Sequence, residues 1–398
     1  MRQGGPACKT GPAWHVGGVT RPILIGSEIY RGSTYGPKHP LAIPRVSTTL
    51  DLIRAMGWVA EDQYRDSPRA TPDQLMRFHT PDYVAALMRT EAAQAVTEED
   101  RARHHIGAHG NPVYREVFRR PATGAGGAIL AAELTRDGGV VHVPGAGTHH
   151  GMSDRASGFC YLNDVVLGLT AWLDQGLESI LYLDIDAHHG DGVELAFHDD
   201  PRVFTLSIHE ANRWPHTGRA EDRAGGHARN LPVPDGFNDS EMDWLLRHAV
   251  LPLIRHLRPQ AIFLQCGADA VEEDPLSRLS LSNAAHRAVV GAVMPLAPRL
   301  IVSGGGGYNP WSVARCWAGV WATLNRLPIP PRLPAAAEAV LRGLSWSRAA
   351  GRNPPEPWFT TIADAPRPGP VREAIRALAA VTLRDLPEPA GAVPSSAA

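Results

Sequence analysis

The stretch LYLDIDAHHGDG, residues 181–192, places three acids and two histidines directly after an apolar run. Buried charge is costly unless it is paired or bound to a metal. Residues 180–186 are predicted to form a buried strand, in which alternate side chains share a face. Asp184, Asp186 and His188 should then point the same way. Carboxylate oxygens and imidazole nitrogens that converge on one point predict a metal site.

A third ligand is needed to complete this site. Asp269 in LQCGADA also follows an apolar run and a glycine, so we expect it at a strand end too. Two aspartates and one histidine leave a position open for water, which is the pattern of a catalytic zinc site, and ferrous iron accepts the same ligands. The alternative for Asp186 and His188 is a salt-bridged strand end without a metal.

The pair His149 and His150 in GTHHG is the candidate for proton transfer, as general base and electrostatic partner. A carboxylate bonded to each ring would fix its tautomer and raise its basicity, and Asp184 and Asp191 are available for this. The alternative is that both histidines lie on a surface loop.

Two further stretches, SGGGGYN and SGFCYLND, carry candidate substrate contacts. A glycine run allows close backbone packing, and Tyr308 at its end could aim its hydroxyl at a developing oxyanion. A phosphate-binding loop is disfavoured because no Lys-Ser/Thr follows, and a flexible turn with a packed tyrosine is the simpler alternative. Phe159, next to Gly158, could wall a narrow channel or belong to the core.

Short apolar runs that end in glycine or polar residues alternate with helical segments, which predicts βαβ units and a parallel sheet. Helices are expected at residues 125–134, 164–175 and 241–257. Ligands of open α/β sheets bind beyond the carboxyl ends of the strands, which is where all the polar clusters fall.

The composition is that of a soluble globular protein, with 398 residues, 43% apolar residues and a formal charge of −2. No basic excess indicates direct nucleic-acid binding, and no apolar run approaches the roughly 18 residues of a membrane helix. Residues 1–18 lack the apolar core of a signal peptide. The four scattered cysteines (Cys8, Cys160, Cys266 and Cys316) predict reduced thiols and a cytoplasmic location.

The composition changes near residue 328, where proline-rich segments begin. We expect a catalytic domain over residues 1–327 and a C-terminal extension over residues 328–398. The extension should be partly helical, at residues 371–383, with a disordered end. The oligomeric state is left open.

Taken together, these motifs resemble the histone deacetylase superfamily. They comprise GTHHGM and ASGFCYLND, LYLDIDAHHGDGVELAF, VFTLSIHE, PHTGR, LQCGADAVEEDPLSRLSLS and SGGGGYN, and they occur in the family's order over most of residues 20–320. YGPKHPLAIPRV near the N-terminus is most similar to the bacterial acetoin-utilisation-type branch. The resemblance implies the three-layer arginase–deacetylase fold, a central parallel sheet of about eight strands flanked by helices.

The resemblance also implies a role for each motif residue. Asp186, His188 and Asp269 would bind zinc. The expected catalytic residues are His150 with Asp191, His149 with Asp184, and Tyr308. Phe159, Gly158 and Trp214 would line the acyl-lysine channel, Leu276 would lie near its rim, and Arg45 would lie by an internal cavity where acetate leaves. A structural potassium ion would be held by backbone carbonyls of Asp184, Asp186 and His188 and by Ser207.

The implied reaction is hydrolysis of an N-acetyl amide to acetate and a free amine, with acetyl-lysine in proteins as substrate. One departure is that Gly110 or Asn111 stands where many members carry an acid at the channel mouth, so peptide anchoring should differ. Small N-acetylated amines such as acetylpolyamines are the alternative substrates, with Glu28, residues 98–100 or residues 272–274 as an acidic gate. A non-catalytic acyl-lysine binding protein is a second alternative.

An arginase-type ureohydrolase shares the implied fold and is a third alternative. Its two-metal signature requires Asp-Ala-His-x-Asp, and this chain has Gly190 at the last position. Glycine has no side chain to ligate a second metal, which disfavours that class.

Overall fold

The structure is a computed structural model and describes residues 21–387. The expectations about a signal peptide, Cys8 and a disordered C-terminal end lie outside these residues. Cys160, Cys266 and Cys316 are buried free thiols. Within the described range, no helix combines the length and the apolar character needed to cross a membrane.

A single sheet of eight parallel strands forms the centre of the molecule. The strands are β1 (Ile23–Gly26), β2 (Tyr64–Asp66), β3 (Gly139–Val143), β4 (Ile180–Asp184), β5 (Val203–Glu210), β6 (Ala228–Val233), β7 (Ala261–Gln265) and β8 (Arg299–Ser303). Their order across the sheet is β2-β1-β3-β8-β7-β4-β5-β6, and each neighbouring pair is parallel. The predicted α/β class and the strand number are confirmed.

Fifteen α-helices accompany the sheet in the described part of the chain. They are α1 (Ile29–Gly32), α2 (Arg45–Ala55), α3 (Pro72–Leu75), α4 (Pro81–Ala93), α5 (Glu98–His104), α6 (Arg119–Leu134), α7 (Asp164–Asp174), α8 (Asp191–Ala196), α9 (Asp239–Leu245), α10 (Leu251–Leu257), α11 (Asn283–Val293), α12 (Pro310–Leu324), α13 (Ala335–Arg342), α14 (Pro357–Thr360) and α15 (Glu373–Thr382). A π-helical turn at Leu246–Val250 joins α9 to α10, so the predicted helix over 241–257 is continuous but not regular.

The sheet separates two hydrophobic cores, because strand side chains alternate between its faces. On β4, Leu181 and Leu183 pack with helices α9, α10 and α11. Ile180 and Tyr182 on the same strand pack with helices α6 and α7 on the other side. This arrangement gives the three layers that the sequence predicts.

The expectation that strand β4 runs through residue 186 is wrong. The strand ends at Asp184, and residues 185–190 form a loop. Asp184 therefore does not share a strand face with Asp186 and His188. Its carboxylate turns instead to the ring of His149.

The four central strands bring the polar clusters together. Strands β3, β8, β7 and β4 are consecutive neighbours in the sheet. Their carboxyl ends lead into the loops that carry the histidine pair, Tyr308, Asp269 and the residues 186–188. Because the carboxyl ends of parallel strands meet at one edge, these loops build one site.

The C-terminal extension lies against the rest of the chain. Helix α13 contacts α2, and α15 contacts α9 and β6. The buried Arg229 side chain donates to the carbonyl oxygens of Thr382 (2.9 Å), Arg384 (2.9 Å) and Asp385 (3.0 Å), at the end of α15. The predicted boundary of separate units at residues 327 and 328 stays a prediction.

Candidate active site

Asp186, His188 and Asp269 form a cluster whose ligand atoms lie within 4.8 Å of one another. Nδ1 of His188 is 2.9 Å from Oδ2 of Asp269 and 3.3 Å from Oδ1 of Asp186. Each carboxylate is also held by a backbone N–H: Gly306 donates to Asp186 (2.6 Å) and Ala187 donates to Asp269 (3.1 Å). The donors are thus fixed in place, as a metal site requires.

The charges of this cluster also fit a cation. Burial and the neighbouring Asp186 carboxylate raise the pKa of Asp269, because two negative charges crowd one dry site. A divalent ion between them would relieve both effects. Two carboxylate oxygens and one imidazole nitrogen are donors that zinc and ferrous iron accept.

The glycine run packs directly onto the two carboxylates. A Cβ atom at Gly305 would lie 2.7 Å from Oδ2 of Asp186, and one at Gly306 would lie 2.0 Å from Oδ2 of Asp269. Gly305 and Gly307 also have positive φ angles of 142° and 134°. The run is therefore neither a phosphate-binding loop nor a merely flexible turn, since it lets the backbone pack against the metal-ligand candidates.

Each histidine of the pair bonds a different aspartate. Nδ1 of His149 is 2.8 Å from Oδ2 of Asp184, and Nδ1 of His150 is 2.7 Å from Oδ1 of Asp191. Burial lowers the pKa of His150 to about 4, with His149 acting in the same direction, so its ring is neutral near pH 7. Burial opposes protonation of His149, but Asp184 and Asp186 outweigh it and raise its pKa to about 9. Near pH 7, the His150 ring is thus neutral and the His149 ring is protonated.

Asp274 binds the backbone of Tyr308, a role that the sequence did not reveal. The Tyr308 N–H donates to Oδ2 of Asp274 at 2.5 Å. Asp274 is 4% exposed, and burial raises its pKa to about 8, with the charge of Asp269 adding to the effect. Its sequence signal is the acid before proline in VEEDPL, a stretch whose pattern alone suggests no more than an acidic gate.

The rings of Phe159 and Trp214 each lie against a residue of the candidate site. The Phe159 ring meets the Tyr308 ring edge-on at 6.1 Å, and the Trp214 ring meets the His150 ring edge-on at 4.7 Å. Gly158 has a φ of 54°, and a Cβ there would lie 2.4 Å from the Trp214 ring. Only glycine fits between the Trp214 and His150 rings, and Phe159 follows it directly in the chain.

At the expected position of the channel-mouth acid, Asn111 instead supports the backbone of Phe159. The side chain of Asn111 is buried and accepts from the Phe159 N–H at 2.9 Å. Gly110 has a φ of 81°, and its carbonyl lies 3.0 Å from Nε2 of His39. His39 packs edge-on against Phe159 at 4.5 Å, a contact that was missed although His39 belongs to the YGPKHPLAIPRV stretch. Leu276 is half-buried beside the same cluster.

Arg45 lines a cavity of about 60 Å³ that the histidine pair also lines. Its Nη1 donates to the carbonyl oxygen of Gly305 at 2.7 Å, and its guanidinium lies over the Trp317 ring at 5.5 Å. Its buried Nε has no partner among the described residues. An unused donor in a small cavity suits a small carboxylate.

Gly190 leaves no room for a second metal ligand. A Cβ atom there would lie 2.7 Å from Oδ2 of Asp184 and 3.2 Å from Nδ1 of His149. A carboxylate side chain cannot occupy this position without displacing the pair. The geometry thus disfavours the two-metal ureohydrolase alternative.

Residues 39–324 match the sequence profile described as the histone deacetylase domain. The chain belongs to the histone deacetylase family. Histone deacetylase 9 of Arabidopsis thaliana is 37% identical over 313 residues, which are 76% of this chain and 73% of the relative. The acetoin utilization protein AcuC of Bacillus subtilis (strain 168) is 31% identical over 361 residues, 84% of this chain and 92% of that protein.

Solved structures show the same histone deacetylase fold. The crystal structure of an HDAC homologue from Aquifex aeolicus matches with a TM-score of 0.86 and 33% identity, covering 91% of this chain and 100% of that one. An HDAC homologue complexed with SAHA gives the same values. The predicted family, the arginase–deacetylase fold and an amide-hydrolysing deacetylase are thereby confirmed. The role of each site residue stays a prediction.

Proposed function

We propose that this histone deacetylase-family chain is a zinc enzyme that hydrolyses acetyl-lysine in proteins, releasing acetate and a free amine. The observation that carries the proposal is the cluster of Asp186, His188 and Asp269, placed beside His150 and reached between Phe159 and Trp214. The proposed metal ligands, the proposed general base and the aromatic side chains for the substrate then lie next to one another.

Zinc would be held by Asp186, His188 and Asp269, and when bound it lowers the pKa of a coordinated water towards about 7 and polarises the acyl carbonyl. Ferrous iron is the alternative ion for the same donors. A potassium ion nearby, held by backbone carbonyls of Asp184, Asp186 and His188 with Ser207, remains part of the proposal.

His150 would move the proton. Its Nδ1 is occupied by Asp191, which leaves Nε2 as the nitrogen for chemistry. A neutral His150 accepts the proton of the attacking water and then donates it to the leaving amine. His149, bonded to Asp184, would support the developing negative charge.

The Tyr308 hydroxyl would donate to the carbonyl oxygen as it becomes an oxyanion. The hydroxyl must be protonated for this, and burial raises the pKa of Tyr308 above its usual value. Acetate would leave through the cavity that contains Arg45.

The charges around the approach favour neutral acetyl-lysine over an acetylpolyamine. Glu272 and Glu273 are both paired with Arg367, and Asp274 lies buried beneath Tyr308. Gly110 and Asn111 offer no carboxylate. These positions therefore hold no free acid to attract a cationic amine, while aromatic walls suit the methylene chain of lysine.

The test compares kcat/KM of the zinc-loaded full chain for an acetyl-lysine peptide and for N-acetylputrescine. A chelated sample and Tyr308→Phe are the blanks. We expect metal-dependent turnover with at least about tenfold preference for the peptide, the scale of about 1.4 kcal/mol in transition-state binding. Preference for N-acetylputrescine would favour the polyamine alternative. No turnover of either substrate with one zinc bound per chain would contradict the proposal.

A further inference from the structure

Arg367 ties the C-terminal extension to the loop over residues 271–276. It lies between α14 and α15, and its Nε is 2.6 Å from Oε2 of Glu272. Its Nη2 contacts Oε1 of Glu273, and its Nη1 is 3.4 Å from Oε2 of the same residue. Nη1 also donates to the carbonyl oxygen of Leu281 at 2.7 Å. One guanidinium thus holds two adjacent carboxylates and a backbone carbonyl.

The same loop holds the segment that carries Tyr308. Asp274 accepts the Tyr308 N–H at 2.5 Å and the Leu276 N–H at 2.9 Å. The carbonyl oxygen of Glu273 accepts from Nδ2 of Asn309 at 3.4 Å. Asn309 in turn caps helix α12. Two consecutive loop residues therefore fix the two consecutive residues that directly precede α12.

The loop needs a cation to keep this shape. Glu272, Glu273 and Asp274 are consecutive acids, and the carboxylates of Glu272 and Glu273 would repel each other at this spacing. Arg367 neutralises two of them in a half-buried setting, where its side chain is 22% exposed. Arginine suits this task because its planar donors reach several acceptors at once.

We propose that Arg367 is a positioning residue for Tyr308, acting through Glu273 and Asp274. The inference rests on the proposed oxyanion role of Tyr308. It assigns a catalytic purpose to the C-terminal extension, whose side chains Leu341, Trp358 and Ile375 otherwise pack into the hydrophobic cores. Without Arg367, the loop over residues 271–276 becomes mobile and the hydrogen bond from the Tyr308 N–H to Asp274 breaks. The Tyr308 hydroxyl is then no longer held in position for the carbonyl oxygen of the substrate.

Arg372 provides a matched control in the same extension. Its Nη2 is 2.6 Å from Oε2 of the buried Glu241, and its Nη1 donates to the carbonyl oxygen of Asp235 at 2.7 Å. Among the described residues, the partners of its side chain are Glu241 and Asp235, and neither belongs to the loop over 271–276. Arg372→Gln therefore weakens the attachment of the extension without releasing the loop.

The experiment combines hydrogen–deuterium exchange with steady-state kinetics on the zinc-loaded full chain. In Arg367→Gln, we expect faster exchange in peptides covering residues 269–281 and 304–311, a fall in kcat of about tenfold and a KM within about twofold. A partial loss of oxyanion stabilisation, worth 10²–10³ in full, sets this scale. Arg372→Gln should leave exchange in both peptides unchanged, and Arg367→Lys should restore part of kcat.

Glu273→Gln removes the same contact from the other side and should reproduce the effect, with little further loss in the double variant because the two residues act as one unit. Unchanged exchange at 304–311 in both single variants would overturn the inference. So would an equal loss of kcat in Arg367→Gln and Arg372→Gln. If the wild type does not turn over acetyl-lysine, the proposed function fails, whereas the exchange data still decide whether Arg367 orders the Tyr308 segment.

Discussion

Gly306 lies so close to Asp269 that a Cβ atom at residue 306 would be 2.0 Å from Oδ2 of the aspartate. A second contact is a hydrogen bond, because the Gly306 N–H donates to Asp186. One glycine thus supports two of the three metal-ligand candidates.

Gly306→Ala should therefore weaken zinc binding. The added methyl group displaces the Asp269 carboxylate, and changes to the partners of metal ligands typically cost 10–100-fold in affinity. Competition with a chromophoric chelator measures the zinc Kd. Gly32→Ala is the control, because a Cβ at Gly32 would have no neighbour within 4 Å in the part of the chain that the structure describes. Equal zinc affinity in the two variants would remove the supporting role of Gly306.

Asp191→Asn should lower kcat by roughly 10²-fold, since general acid–base catalysis contributes about 10²–10⁴ and depends on the tautomer of His150. The amide can offer its N–H to Nδ1, which leaves the proton on Nε2 and blocks the base. The matched control is Asp199→Asn, which breaks an exposed pair with His198 of the same 2.7 Å length. A kcat within threefold of wild type in Asp191→Asn would contradict the proton route.

Tyr308→Phe should lower kcat by roughly 10²–10³, the usual cost of one oxyanion donor. KM and the zinc content should stay close to wild type, because the ring still packs near Phe159. Pre-steady-state acetate release measures the chemical step directly. Tyr64→Phe is the control, as its hydroxyl bonds only Asp66 among described residues. An unchanged chemical rate would exclude the hydroxyl from the reaction.

The free energy of unfolding should fall as the pH drops from 6.5 towards 4, in part because of His79. Its Nε2 accepts the Asn163 N–H at 3.0 Å and its Nδ1 faces the Ser153 carbonyl oxygen, so the ring must stay neutral. Burial lowers its folded pKa to about 4, whereas the unfolded chain binds the proton near 6.5. The unfolded state then gains about 3 kcal/mol relative to the folded state at pH 4.

Urea unfolding with a chelator present throughout measures this effect without a contribution from metal release. His79→Gln should lower stability at pH 7.5 but flatten the decline between pH 6.5 and 4. The surface variant His248→Gln should keep the wild-type slope. If the free energy of unfolding of His79→Gln falls as steeply between pH 6.5 and 4 as that of the wild type, His79 does not contribute to the pH dependence.

The metal-ligand candidates were predictable from sequence because strand ends carry a local signal. Asp186, His188 and Asp269 each follow an apolar run, and the sheet order brings those runs together. The end of strand β4 was not predictable, since Ile185 continues the apolar alternation after the ladder stops at Asp184. Strands β1 and β2, of four and three residues, were too short to give a periodic pattern.

The roles of the supporting residues could not be predicted from the sequence, and the reason is physical. Asp274, His39 and Arg367 act through contacts between distant parts of the chain, and an acid or arginine at such a position looks like any surface residue. Arg367 and Glu273 are 94 residues apart. Only the folded packing distinguishes them from the other charged residues of the chain.

Strand β8 lies in the middle of the sheet, yet it is the last strand in the sequence. Strands β3 and β7 are its two neighbours, and each pairs with β8 rather than with the other. During synthesis on the ribosome, the two halves of the sheet therefore cannot join until residues 299–303 have emerged. The nascent chain exposes two long strand edges until that moment, and its assembly depends on contacts of high sequence separation, which makes folding slow.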